Sequence, residues 1–101
     1  MPYIKKEARV FLDECIENVV SKITDGNSLT NEEFLSISGE INYTFSRILS
    51  SCMGTPSYSK IAVITGVLEN IKQEFYRRVA SAYEDIKIIE NGDILEYEKL
   101  N

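Results

Sequence analysis

Residues 64–101, ITGVLENIKQEFYRRVASAYEDIKIIENGDILEYEKLN, decide how the chain is read. No proline or glycine interrupts the pattern between Gly66 and Gly92. Ile61, Ile64, Leu68, Ile71, Phe75, Val79 and Ala82 or Tyr83 recur at steps of three and four, which places them on one face of a helix. A helix of about 25 residues or more at 1.5 Å per residue is close to 40 Å long. After Asp85 the period becomes alternating, and Asn91-Gly92 is a strong signal for a type I′ hairpin turn. A two-residue loop pairs Ile88 with Leu95 and Ile86 with Tyr97 on one face, and sets Lys87 opposite Glu96. Glu90 opposite Asp93 is the misfit in that register. An isolated hairpin is marginal in water and needs a surface to pack on.

N-terminal to this stretch, a first helix is predicted over residues 5–24. Ala8, Phe11, Leu12, Cys15, Ile16, Val19 and Ile23 share a face, and Asp25-Gly26-Asn27 stops it through the left-handed tolerance of Gly26 and Asn27. Thr30 and Glu33 form a capping box, with Leu29 and Phe34 placed as a hydrophobic staple around it. Phe34, Ile37, Ile41, Phe45, Ile48, Leu49 and Cys52 continue as a second stripe, and Gly39 predicts a kink or break near Ser38. Gly54-Thr55-Pro56 breaks the chain again, with Pro56 suited to a first helical turn. The predicted fold is mainly α: a three-helix core whose second helix is kinked or broken, a C-terminal β-hairpin, and one domain over residues 1–101. The third helix outruns what its neighbours can cover, which predicts a homo-oligomer, a tetramer among the candidate states.

The chain has 101 residues, 44% hydrophobic and 27% charged, a balance of an ordinary globular protein. Its net charge of −5 argues against binding duplex nucleic acid, whose affinity comes mostly from neutralised phosphates. There is no His, which removes the commonest metal ligand and the usual neutral-pH base. Cys15 and Cys52 stand apart without a CxxC partner and read as small apolar residues of a reduced cytoplasmic protein. No apolar run approaches the roughly 20 residues that span a bilayer. No metal site, cofactor or catalytic residue is predicted. Pro2 as an N-terminal base is the one enzymatic alternative, and the strand-poor pattern speaks against it.

The opening MPYIKKE, the segment GEINYTFSRIL and the block ITGVLENIKQEFYRRVASAYEDIKIIENGD resemble an uncharacterised family of short proteins of bacteria, archaea and their phages. The shared pattern is MPYI, GExNY, EFYRR, YED and ENGD in that order, over about two thirds of the chain. Residues 25–38 and the tail ILEYEKLN depart from it. The resemblance implies a compact helical protein without an assigned activity. Some small phage proteins of this general kind resemble sponges, oligomers that sequester the cyclic nucleotide alarm signals of bacterial defence.

Such a ligand needs cations for its phosphates and flat side chains for its bases. Tyr76, Arg77 and Arg78 supply both, with Lys72 one turn earlier. Tyr3, Lys5 and Lys6 form a second aromatic–basic cluster, and Tyr43 with Arg47 one turn on forms a third. Core packing of Phe75 and an i,i+4 pair of Glu74 with Arg78 explain much of EFYRR, but leave Tyr76 and Arg77 without a task. The expected function is non-enzymatic binding of a small nucleotide, a cyclic dinucleotide or oligonucleotide, in the host cytoplasm for a phage product. The alternative is a structural or protein-interaction module bound to a host protein through the long helix and the hairpin edge.

Overall fold

A computed structural model describes residues 3–100. The chain is helical: α1 spans Lys6–Thr24, α2 Asn31–Ser36, α3 Ser38–Met53, α4 Tyr58–Phe75, a π turn Tyr76–Ala80, α5 Ser81–Asn91 and α6 Leu95–Glu98. It divides into two compact units, one ending at Ile64 and the other beginning at Thr65.

In the first unit the local signals act as the sequence predicts, with shifts of detail. Helix α1 closes on Asp25, which takes φ 56°, and Gly26 follows at φ 70° with its N–H bonded to the Ser21 carbonyl at 3.0 Å. The left-handed pair is thus Asp25-Gly26 rather than Gly26-Asn27. An aspartate tolerates this conformation better than most side chains. At the start of α1, the Arg9 Nε donates to the Ile4 carbonyl at 2.8 Å and ties the entering strand of backbone to the helix.

Helix α2 opens on the predicted capping box. The Glu33 N–H donates to Thr30 Oγ1 at 3.2 Å, and the Thr30 N–H donates to Glu33 Oε1 at 3.1 Å. These bonds hold the Glu33 carboxyl below its usual range, the backbone bond first and the Thr30 hydroxyl second. A depressed carboxyl stabilises the fold above its unfolded value, and the contribution is lost as pH falls through the lower folded value. Thr30→Ala is therefore expected to cost about 1 kcal/mol at neutral pH and to flatten the acid limb of the stability curve. Urea unfolding followed by circular dichroism between pH 3 and 7 would show both effects.

The predicted break of the second helix falls at Ile37, one residue before Ser38, and separates α2 from α3. Helix α3 ends at Gly54, whose φ 65° and ψ −126° lie outside the range of ordinary side chains. The next helix begins at Tyr58, so Pro56 stands before its first turn instead of in it. Ser57 takes the capping role, its hydroxyl accepting from the Lys60 N–H at 3.3 Å.

The second unit overturns the expected hairpin. No strand is present among the described residues, and residues 86–97 are α5, a short link and α6. Asn91 is the last residue of α5 and has no positive φ, whereas a type I′ turn needs one at both central positions. Gly92 instead closes the helix, its N–H bonded to the Ile88 carbonyl at 2.8 Å and its φ at 84°. The physical reason is continuity. Helical backbone runs from Tyr58 through Phe75, Tyr76–Ala80 and Ser81 to Asn91, so residues 86–91 extend an existing helix and need no new nucleus. Propagation then outweighs the β preference of Ile86, Ile88 and Ile89. Lys87 reinforces it, with its Nζ 3.0 Å from Glu90 and 5.4 Å from the Tyr83 ring centre.

The expected three-helix core also fails. None of the described residues is buried, and Phe11, read as a core position of α1, is 79% exposed. The periodicity correctly marks apolar faces of helices but does not by itself supply what covers them. Pro2, weighed above as an N-terminal base, lies outside the described residues.

Candidate functional site

The π turn coincides with YRRVA of the EFYRR motif. Its signature is a bond from the Ser81 N–H to the Tyr76 carbonyl, five residues back. Such a turn takes in roughly one residue more than an α turn, so it resets which side chains lie above one another. The apolar spacing explains why a reset occurs here. Ile71, Phe75, Val79 and Tyr83 are spaced by fours, and an unbroken α-helix would carry Tyr83 about 120° off the line of Ile71. Absorbing one residue reduces that drift to about 20°. The same reset brings Tyr76 nearly over Glu84, about two turns on. The Glu84 carboxylate, acting first as a hydrogen-bond acceptor for the phenol and then through its charge, with a little desolvation, pushes the Tyr76 phenol above its ordinary value.

The arginines converge on one carboxylate. Arg77 Nη2 donates to both oxygens of Glu74 at 2.8 Å, and Arg78 Nε lies 3.2 Å from Glu74 Oε1. The Glu74 side chain is only 15% exposed, while those of Arg77 and Arg78 are 67% and 62% exposed. The predicted Glu74–Arg78 pair is present, and Arg77 and Tyr76 have partners that the sequence reading did not assign to them. The trio keeps one net positive charge and presents guanidinium edges to solvent. Beside it is a concavity of about 350 Å³ lined by Asn70, Gln73, Glu74, Tyr76, Arg77 and Ser81. Its polar groups are of mixed kind: amides, a phenol, a hydroxyl, a cation and the Glu74 carboxylate that the cation holds. Lys72, one turn earlier, is engaged 3.8 Å from Glu69, which also accepts from Gln73 Nε2 at 2.9 Å.

In the first unit, Arg47 Nη1 donates to the Tyr43 hydroxyl at 3.4 Å, so these two residues share a face as predicted. Tyr43 borders a concavity of about 610 Å³ with Lys22, Ile23, Ile37, Gly39, Glu40 and Thr44. Lys22 was not singled out in the sequence. Its position in the last turn of α1 is a signal only once that turn is known to face the start of α3. Tyr3 is exposed, and Lys5 and Lys6 are exposed at the start of α1. Asn42 accepts from Ser46 Oγ at 3.4 Å, a local bond within α3. Among the described residues no cluster of His, Cys, Asp or Glu is arranged to hold a metal ion, and no helix is long and apolar enough to cross a membrane.

These features define a small helical protein whose polar clusters and apolar faces both lie open to solvent. The chain belongs to the family described as a domain of unknown function, DUF6899, whose sequence model matches residues 1–94. No curated protein and no solved structure matches it.

Proposed function

We propose that the chain is a non-enzymatic binding protein that sequesters a small nucleotide at the π turn. The observation that carries this reading is the convergence of Tyr76, Arg77, Asn70 and Ser81 on one concavity, of a volume that suits a small ligand. A guanidinium has five N–H donors, and Arg77 commits only one of its nitrogens to Glu74, leaving others to meet a phosphate. Tyr76, 55% exposed, offers a ring face for a base, and Asn70 offers donors and acceptors for its edge. The ligand class is a cyclic dinucleotide or a short cyclic oligonucleotide, the chemistry of alarm signals in bacterial defence. A phage product of this kind would act by sequestration in the host cytoplasm, an immune evasion that needs no catalysis.

Titration calorimetry and thermal shift against a panel of cyclic di- and trinucleotides test the proposal. At least one is expected to bind, with Tyr76→Ala and Arg77→Ala each lowering affinity about ten-fold or more. Absence of heat and of any shift with every member would sink it. A second reading, a module that binds a host protein, is favoured by the exposed apolar faces. Retention of activity by both variants, together with capture of one host protein at fixed stoichiometry, would favour that reading instead.

A further inference from the structure

The concavity of about 610 Å³ in the first unit joins stretches that are far apart in the chain. Lys22 and Ile23 come from the last turn of α1, and they face Ile37 and the first two turns of α3. Local signals set that meeting. The left-handed Asp25 and Gly26 turn the chain out of α1, and the capping box of Thr30 and Glu33 fixes the entry into α2. Ile23, Ile37 and Thr44 in the lining are half-buried, whereas most of α1 and α3 is exposed. The Thr44 hydroxyl donates to the Glu40 carbonyl at 2.7 Å, and its oxygen keeps the capacity to accept.

Opposite charges border this concavity without pairing. Lys22 stands in the last turn of α1 and Glu40 in the first turn of α3, each at the helix end whose dipole favours its sign. Among the described residues neither side chain has an ion-pair or hydrogen-bond partner. Most of the remaining lining is apolar or aromatic: Ile23, Ile37 and Tyr43, whose hydroxyl accepts from Arg47 Nη1 at 3.4 Å. Gly39 adds an independent observation. Its φ is not positive, and a Cβ placed on it meets nothing within 4 Å. Neither backbone nor packing requires glycine there, and alanine is the better helix former. What glycine supplies is room at the wall of the concavity.

We infer that this concavity is a binding site for an amphoteric small molecule, one that carries an ammonium and a carboxylate on an aromatic body, as a free aromatic amino acid does. Its carboxylate meets Lys22, its ammonium meets Glu40, and its body lies on Ile23, Ile37 and Tyr43. The charge pattern separates this ligand class from a nucleotide, since the Glu40 carboxylate repels a phosphate. The site belongs to the first unit and shares no residue with the concavity at the π turn. The two sites can therefore fail separately.

Titration of the full chain with free phenylalanine, tyrosine and tryptophan up to about 10 mM, followed by amide NMR, provides the test. At least one is expected to give saturable shifts within residues 22–44. Amidation of its carboxylate, or acetylation of its amine, should each weaken binding about ten-fold. Lys22→Gln should remove the distinction between acid and amide, and Glu40→Gln that between free and acetylated amine, which a merely structural role would not do. Gly39→Ala should keep or raise the unfolding temperature and still weaken binding about ten-fold. Gly66→Ala is the control, a helical glycine equally open to a Cβ and outside the lining, and should leave binding unchanged. Absence of saturable shifts with all three amino acids overturns the inference. Binding that is indifferent to amidation and acetylation, or as tight in Gly39→Ala as in the wild type, overturns it as well.

Discussion

Gly92→Ala is expected to lower the unfolding temperature by about 5–15 °C, while Asn91→Ala leaves it unchanged or raises it slightly. Gly92 has φ 84° and ψ 155°, a region essentially closed to residues with a Cβ. Nothing stands within 4 Å of a Cβ placed there, so the penalty is one of backbone conformation and not of contact. Strain of that kind costs on the order of 1–3 kcal/mol, and each kcal/mol moves the midpoint of a domain this size by about 4–8 °C. Asn91 is helical, and alanine is the better helix former. A type I′ hairpin would make the opposite demand at Asn91, where alanine would lose the positive φ. Thermal melts of the two variants thus separate the helical ending from the hairpin. Equal destabilisation by both would contradict the structure.

The second large effect concerns the π turn. Deletion of Ala80 should convert residues 76–81 to regular α-helix and rotate everything beyond by about 100°. Tyr83 and Ile86 would leave the line of Ile71 and Phe75, and Tyr76 would lose its alignment with Glu84. Helix content should survive, because an α turn forms readily in this sequence, and far-ultraviolet circular dichroism would check it. The Tyr76 phenol should return toward the ordinary tyrosine value of about 10. In the intact protein the raised value means a contribution to stability that is present below about pH 10 and lost as pH rises through the higher folded value. NMR titration of labelled tyrosine would follow this directly. An unchanged Tyr76 titration after the deletion would show that the π turn does not hold the Glu84 contact.

The capping box at Thr30 and Glu33, the break before α3, the stop after Thr24 and the Glu74–Arg78 pair were legible, because each is decided by residues within about one helical turn. The candidate cluster Tyr76, Arg77 and Arg78 was legible as a motif. Its wiring was not: which of the two arginines takes both oxygens of Glu74 is a matter of side-chain geometry, and the alignment of Tyr76 with Glu84 depends on a π turn. A clue to that turn was present in the run of four-residue steps from Ile71 to Tyr83, which no unbroken α-helix keeps in line.

Sequence by itself determined that this is a helical chain, where its first helices begin and end, and which faces are apolar, since propensity, capping and periodicity are local properties. It did not determine the state of residues 86–97. Ile86 to Gly92 can be written equally as a strand entering a turn or as the end of a helix. The choice rests on whether helical backbone already exists upstream to be extended, and the structure places that backbone from Tyr58 onward. Among the described residues the apolar stripes that the periodicity marks are exposed, which the sequence did not tell. Burial belongs to pairs of surfaces, and a single sequence states only one side of each pair.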